Sequence, residues 1–218
     1  MNSMDQKTKR LIMIGMLSAI AFAVMVIGRV PIVLFLKYDP KDVVIVIGGF
    51  IFGPLSAFFI SLIVSLIEMV TVSDTGFIGC IMNILSTCAF ACTAAVIYKK
   101  DHTLKGAIIG LVCGVLLMTG IMLLWNYLIT PIYLGYPREA VVELLIPAFL
   151  PFNLLKGGIN SALTLLLYKH VVNTLRKAKL IEESKSAPVK VNNTGIALVS
   201  LFVLATGVLL ALVLKGMI

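Results

Sequence analysis

Charge is nearly absent from long stretches of this chain, and that constrains its fold more than any other feature. Uncharged apolar runs fill residues 11–28, 43–67, 106–129, 157–168 and 195–214, and the charged residues gather in short segments between runs. Only 13% of the 218 residues are charged, and the mean hydropathy is +1.09. A soluble domain carries roughly a quarter charged residues. Crossing a hydrocarbon core of about 30 Å takes roughly 20 helical residues. With no water available, a spanning segment must bond its own backbone, so helices are expected. Segments of about 10 residues with alternating polarity, the mark of a membrane barrel, are not seen. The expected fold is all-α, a polytopic transmembrane helical bundle in contact with the lipid bilayer.

The runs place spans at 11–28, 43–53 (short), 55–72, 76–98, 106–129 and 151–170, with a further apolar helix at 195–214. Gly53-Pro54 divides the second run from the third, because proline is tolerated at a helix start and breaks a helix interior. The expected organisation is a six-helix core over 1–174, a charged cytoplasmic linker at 175–194 and an additional C-terminal transmembrane helix within 195–218. Residues 29–42 and 130–143 read as loops. The first span is preceded by basic residues, as a secretion signal is, but it is long and lacks a convincing cleavage site, so it reads as a retained helix. With the N-terminus in the cytoplasm, 12 of the 18 lysines and arginines lie on the inner side, as the positive-inside rule asks. The net charge of +8 belongs to those flanks rather than to nucleic-acid binding.

The four cysteines lie within apolar runs and read as small buried hydrophobes, not as a disulfide or metal framework. The phosphate-loop pattern, His-Glu-x-x-His and G-x-S-x-G are all absent from the sequence, so neither ATP hydrolysis nor hydrolase chemistry is expected. Polar groups inside spans are costly and invite a functional reading. Asn83, Asn126, Asn153, Lys156 and Asn160 are the informative ones. Spacings of three and four put the last three on one helix face. At 1.5 Å per residue, Asn83, Asn126 and Lys156 lie about 10, 6 and 7 Å below the outer ends of their spans. Amides and one ammonium in a common shallow layer suit a ligand pocket open to the outside. The alternative is that the asparagines join helices through hydrogen bonds, in a purely structural membrane protein. Glu68 reads equally as a ligand group or a solvated helix end. In the first span, Gly15, Ala19 and Ala23 form a small-residue stripe that permits close approach of another helix.

Several stretches taken together resemble a known family. FLKYDPKDV at 35–43, Gly53-Pro54, Asn126-Tyr127 and LPFNLLKG at 150–157 are similar to the riboflavin-specific S component, the substrate-binding subunit, of energy-coupling factor (ECF) transporters. The similarity runs over about residues 8–172. It implies a membrane protein, not an enzyme and without a cofactor, that captures riboflavin or FMN outside. The vitamin would then be delivered through a shared module of one transmembrane coupling protein and two ATPases. It also implies that Asn126, Asn153 and Lys156 line the flavin pocket, which Asn83 joins by its place in the polar layer of the spans. The first loop, with Leu36, Tyr38 and Asp42, would close over the ligand, and the Gly15, Ala19, Ala23 stripe would meet the coupling protein. An Asn amide both donates and accepts, and a lysine donates, which suits the pyrimidine edge of a flavin. Ser61, Val64, Ser65 and Cys80 stand where the family often carries other polar groups. They keep open a different vitamin, such as thiamine or folate.

Overall fold

A computed structural model describes residues 3–34, 36–177 and 193–214. Helix α1 (Ser3–Gly28) leads into a two-stranded antiparallel hairpin, β1 (Val30–Val33) and β2 (Leu36–Tyr38). Helices α2 (Lys41–Phe52) and α3 (Pro54–Thr71) follow. Next come α4 (Gly76–Thr87), a π turn (Cys88–Cys92) and α5 (Thr93–Lys100), which together form one continuous rod. Helix α6 (Leu104–Leu128) precedes the short α7 (Thr130–Leu134) and α8 (Arg138–Leu144). A second π turn (Leu145–Phe149) joins α8 to α9 (Leu150–Lys177), and α10 (Asn193–Leu214) packs along α9.

Among the described residues, five helical segments are long and apolar enough to cross a membrane: Lys7–Gly28, Pro54–Thr71, Gly76–Lys100, Leu104–Leu128 and Arg138–Thr174. The helical bundle read from composition is therefore present, and the chain is a multi-pass membrane protein. Helix α2 has 12 residues and rises only about 18 Å, matching the short second span. Two expected loops prove to be structured. Segment 29–42 carries the hairpin and the start of α2, and 130–143 is largely helical. Most of the expected linker at 175–194 lies outside the described residues.

Local chemistry sets the breaks. Gly53 adopts φ +89°, a left-handed conformation open to glycine, and Pro54 then starts α3 without a missing hydrogen bond. Thr103 caps α6, its hydroxyl accepting from the Gly106 amide at 3.1 Å. Pro147 cannot donate to the helical ladder, and the second π turn is built around it. Each π turn lies within four residues of a polar side chain buried in the bundle, Thr87 before the first and Asn153 after the second.

In lipid, helices gain little from the hydrophobic effect and associate through close packing of small residues. Ala89, Ala91, Ala94, Ala95 and Ala107 are all buried where the α4–α5 rod meets its neighbours, among them Phe90, Leu111 and Met118. A Cβ at Gly110 would stand 2.7 Å from the Ala94 carbonyl oxygen, and one at Gly114 would stand 2.6 Å from that of Phe90. Backbone cannot give way there. We expect Gly110→Ala to destabilise the bundle by about 1–3 kcal/mol, read as a lower thermal midpoint in detergent. Gly120→Ala, where nothing lies within 4 Å, serves as the unaffected control.

A buried charged cluster under the hairpin

The hairpin brings its flanking charges inward. Arg29 precedes β1, while Asp39 follows β2 and leads through Pro40 into the first turn of α2 with Lys41 and Asp42. Asp39, Lys41 and Asp42 are all buried, Asp42 completely at 0% exposure. Helix α3 supplies Glu68, and α9 supplies Lys156 and Asn160, also buried.

These groups satisfy one another. Glu68 pairs with Arg29 through one oxygen and with Lys41 Nζ through the other at 2.6 Å. The Arg29 guanidinium also donates to the Val72 carbonyl at 3.3 Å. Asp39 Oδ2 lies 3.7 Å from Lys41 Nζ and 3.8 Å from Lys156 Nζ. Asp42 Oδ2 lies 3.5 Å from Lys156 Nζ, while its Oδ1 accepts from the Thr87 hydroxyl at 2.8 Å. Asn160 donates to Asp42 at 3.4 Å and accepts from the Tyr38 hydroxyl at 2.9 Å. Arg29, Lys41 and Lys156 thus face Asp39, Asp42 and Glu68, so positive and negative charges balance. Buried charges are tolerated only when paired in this way. On the outer side of the hairpin, the exposed Lys37–Asp74 pair, 2.5 Å apart, ties β2 to the α3–α4 turn.

The loop groups titrate accordingly. Burial alone would raise the Asp39 carboxyl, but the Lys156, Lys41 and Arg29 cations outweigh it and hold it below the usual carboxylate range. Burial, helped by the Asp42 and Asp39 carboxylates, pushes the Tyr38 phenol up, so Tyr38 keeps its proton and donates.

Besides the buried Arg29 Nε, two features of the cluster leave hydrogen-bonding capacity unused. Asp39 Oδ1 is buried with no partner among the described residues. The Lys156 ion-pair distances, 3.5 and 3.8 Å, are longer than N–H···O hydrogen bonds of about 2.7–3.2 Å. A buried acceptor and a buried cation with donors to spare can bind a small polar edge.

The other sequence-derived residues fall as follows. Leu36 is buried with Ile32 of the hairpin, Val141, Phe149 and Phe152 in a second apolar cluster, so the hairpin packs on α8 and the start of α9. Asn126 and Asn153 are buried on α6 and α9 but bond to their own helix or to the π turn and short helix next to it. Asn126 donates to the Met122 carbonyl at 2.7 Å and accepts from Thr130 at 2.9 Å, and Asn153 donates to the Phe149 carbonyl at 2.7 Å. Asn83 is half-buried on α4, and among the described residues it shares no hydrogen bond with either asparagine or with the cluster. The expected single layer therefore divides: Lys156 and Asn160 join Tyr38 and Asp42, while Asn126 and Asn153 stand apart from them in hydrogen bonding. Glu68, read as a ligand group or a solvated end, is 3% exposed and ion-paired. Gly15, Ala19 and Ala23 all face outward from α1, and nothing lies within 4 Å of a Cβ built at Gly15. Arg29, Asp39, Lys41 and Thr87 were not singled out from the sequence. The sequence signal was only partial: a lysine inside a span needs an acid, but the charged segment nearest to it in the chain is 138–143, and the fold brings in 39–42 instead.

Comparison with known proteins agrees with this architecture. The family model described as "ECF transporter, substrate-specific component" matches residues 9–168, which leaves α10 outside the match. The riboflavin transporter RibU of Staphylococcus aureus is 32% identical over 182 residues, covering 79% of this chain and 95% of that protein. The riboflavin transporter FmnP of Bacillus subtilis is 27% identical over 194 residues, covering 83% and 98%. A solved structure described as the S component of a bacterial ECF transporter superposes with a TM-score of 0.65 at 32% identity. It covers 78% of this chain and 99% of its own. The chain belongs to the family of substrate-specific components of ECF transporters.

Proposed function

We propose that this chain is the substrate-binding subunit of a riboflavin uptake system, and that it holds the vitamin beneath the hairpin. Two relatives that it matches over nearly their whole length are named as riboflavin transporters. The observation that carries the site is the pairing of a buried unpartnered acceptor, Asp39 Oδ1, with Lys156, which has donors to spare. The pyrimidine edge of riboflavin offers an N–H flanked by two carbonyls. Asp39 accepts from the N–H and Lys156 donates to a carbonyl, each adding a charge-assisted hydrogen bond. Asn126 and Asn153 each keep an N–H free for ligand atoms, since one Asn amide carries two donors. Asn83 completes the polar set from α4. Leu36 and Tyr38 roof the site, and Asp42 holds Lys156 in place.

The N-terminus lies in the cytoplasm in this reading, so the hairpin faces the outside and captures the vitamin there. The outward stripe of Gly15, Ala19 and Ala23 contacts the coupling protein. Two ATPases joined to that protein supply the energy, since this chain carries no phosphate loop. Riboflavin is cargo rather than cofactor.

Titration of the purified protein with riboflavin tests the reading. Saturable quenching of flavin fluorescence at one vitamin per chain is expected, with no competition from thiamine or folate. A protein that leaves the fluorescence unchanged, or that binds thiamine or folate instead, overturns it. Asp39→Asn is expected to weaken riboflavin binding about tenfold, the loss of one charge-assisted hydrogen bond. The same titration measures it.

A further inference from the structure

An open groove runs between α1 and α3, away from the charged cluster. It measures about 240 Å³ and is lined by Lys7, Arg10, Leu11 and Ile14 of α1 and by Leu55, Phe59 and Ile63 of α3. Its two ends differ in chemistry. Leu11, Leu55 and Phe59 are exposed, leaving an apolar trough open at the side of the bundle. Both cations sit in the first turns of α1 that lead into the bilayer.

The cationic end is preorganised. Arg10 donates through Nε and Nη2 to Ser56 Oγ at 3.1 and 2.8 Å, and through Nη2 to the Phe52 carbonyl at 2.9 Å. The guanidinium is therefore fixed, with Nη1 unbonded among the described residues. No carboxylate of the described residues pairs with Lys7 or Arg10. Helix α3 begins at Pro54 beside them, and its dipole is positive at that end. Arg10, held in place, and the exposed Lys7 thus stand at the mouth of an apolar trough in a membrane-spanning surface, with no carboxylate among the described side chains paired to either.

We propose that this groove binds an anionic glycerophospholipid, with the phosphate between Lys7 and Arg10 and one acyl chain along Leu11, Ile14, Leu55, Phe59 and Ile63. Charge complementarity selects the headgroup, since a zwitterionic lipid returns a positive charge to the same place. The trough selects a lipid over a free phosphate ester, because a phosphate alone leaves the apolar wall uncovered. Gly15 lies one turn beyond Leu11, so the bound lipid would border the small-residue stripe on α1.

Native mass spectrometry of the delipidated full chain in detergent, titrated with phosphatidylglycerol and with phosphatidylcholine, tests this. Phosphatidylglycerol is expected to bind the more tightly. Lys7→Gln, an exposed position, should lower its affinity about fivefold, the effect of one basic residue near a membrane surface, and leave phosphatidylcholine unchanged. Ile63→Trp, which fills the trough, should weaken phosphatidylglycerol with both cations intact. Equal binding of the two lipids would give the groove to a protein neighbour and overturn the proposal. So would an unchanged lipid preference in a folded Lys7→Gln protein. Displacement of phosphatidylglycerol by millimolar glycerol phosphate would mark a free-phosphate site and overturn it equally.

Discussion

Lys156→Met is expected to lower riboflavin affinity about 100-fold, the upper part of the range for a hydrogen bond to a charged group. The same change removes the cation that Asp39 and Asp42 share. Lys41 still faces Asp39, but Asp42 keeps only the Thr87 and Asn160 bonds. Breaking a buried pair from one side costs about 3–5 kcal/mol, so the thermal midpoint should fall as well. The double variant Lys156→Met with Asp42→Asn separates the two effects. It restores charge balance and should recover most of the stability, while riboflavin affinity stays low. Flavin titration and thermal melting of the three proteins check both halves.

Glu68→Ala should be the most damaging single change to stability. One carboxylate there answers two cations, Arg29 from the base of the hairpin and Lys41 from α2. Removing it leaves two like charges close together in a buried site, and the cost is about 3–5 kcal/mol or more. Glu68→Gln keeps an oxygen for Lys41 to donate to and should be milder. Lys41→Met combined with Glu68→Ala removes one cation, restores charge balance in the cluster and should regain part of the loss. If Glu68→Ala melts like the parent protein, the cluster does not anchor the hairpin. These changes also predict a functional result. A hairpin freed at Arg29 no longer roofs Lys156, so riboflavin should dissociate faster from Glu68→Gln than from the parent.

The spans were legible because the bilayer imposes length and composition on them directly. The 43–53 and 55–72 division followed from Gly53-Pro54 alone, and α2 and α3 meet there. The hairpin was not legible, because VPIV and LKY are too short to carry a period. Its strands exist through tertiary packing of Ile32 and Leu36 on Val141, Phe149 and Phe152. The helices at 130–144 were hidden by Pro131 and Pro137, which look like loop signals yet begin helices. Lys156 and Asn160 stood out because polar groups inside spans are rare. Among their partners Asp42 was marked only through the resemblance, and Asp39 and Lys41 looked like solvated loop charges until the hairpin folded them inward. Asn126 and Lys156 shared a depth by residue counting. Depth along an axis does not fix whether an amide turns to its own helix or to a neighbour.

A structure of the protein with riboflavin bound tests the central claim most directly. The account predicts the flavin beneath the hairpin, its pyrimidine edge within hydrogen-bond reach of Lys156 Nζ and Asp39 Oδ1. An apolar cavity of about 390 Å³ that shares Tyr38 with the site lies between the hairpin, α9 and α10, bounded also by Val30, Ile32, Ile159 and Val208. A flavin seated there, with the Lys156 and Asp39 side chains unengaged by it, would contradict the account.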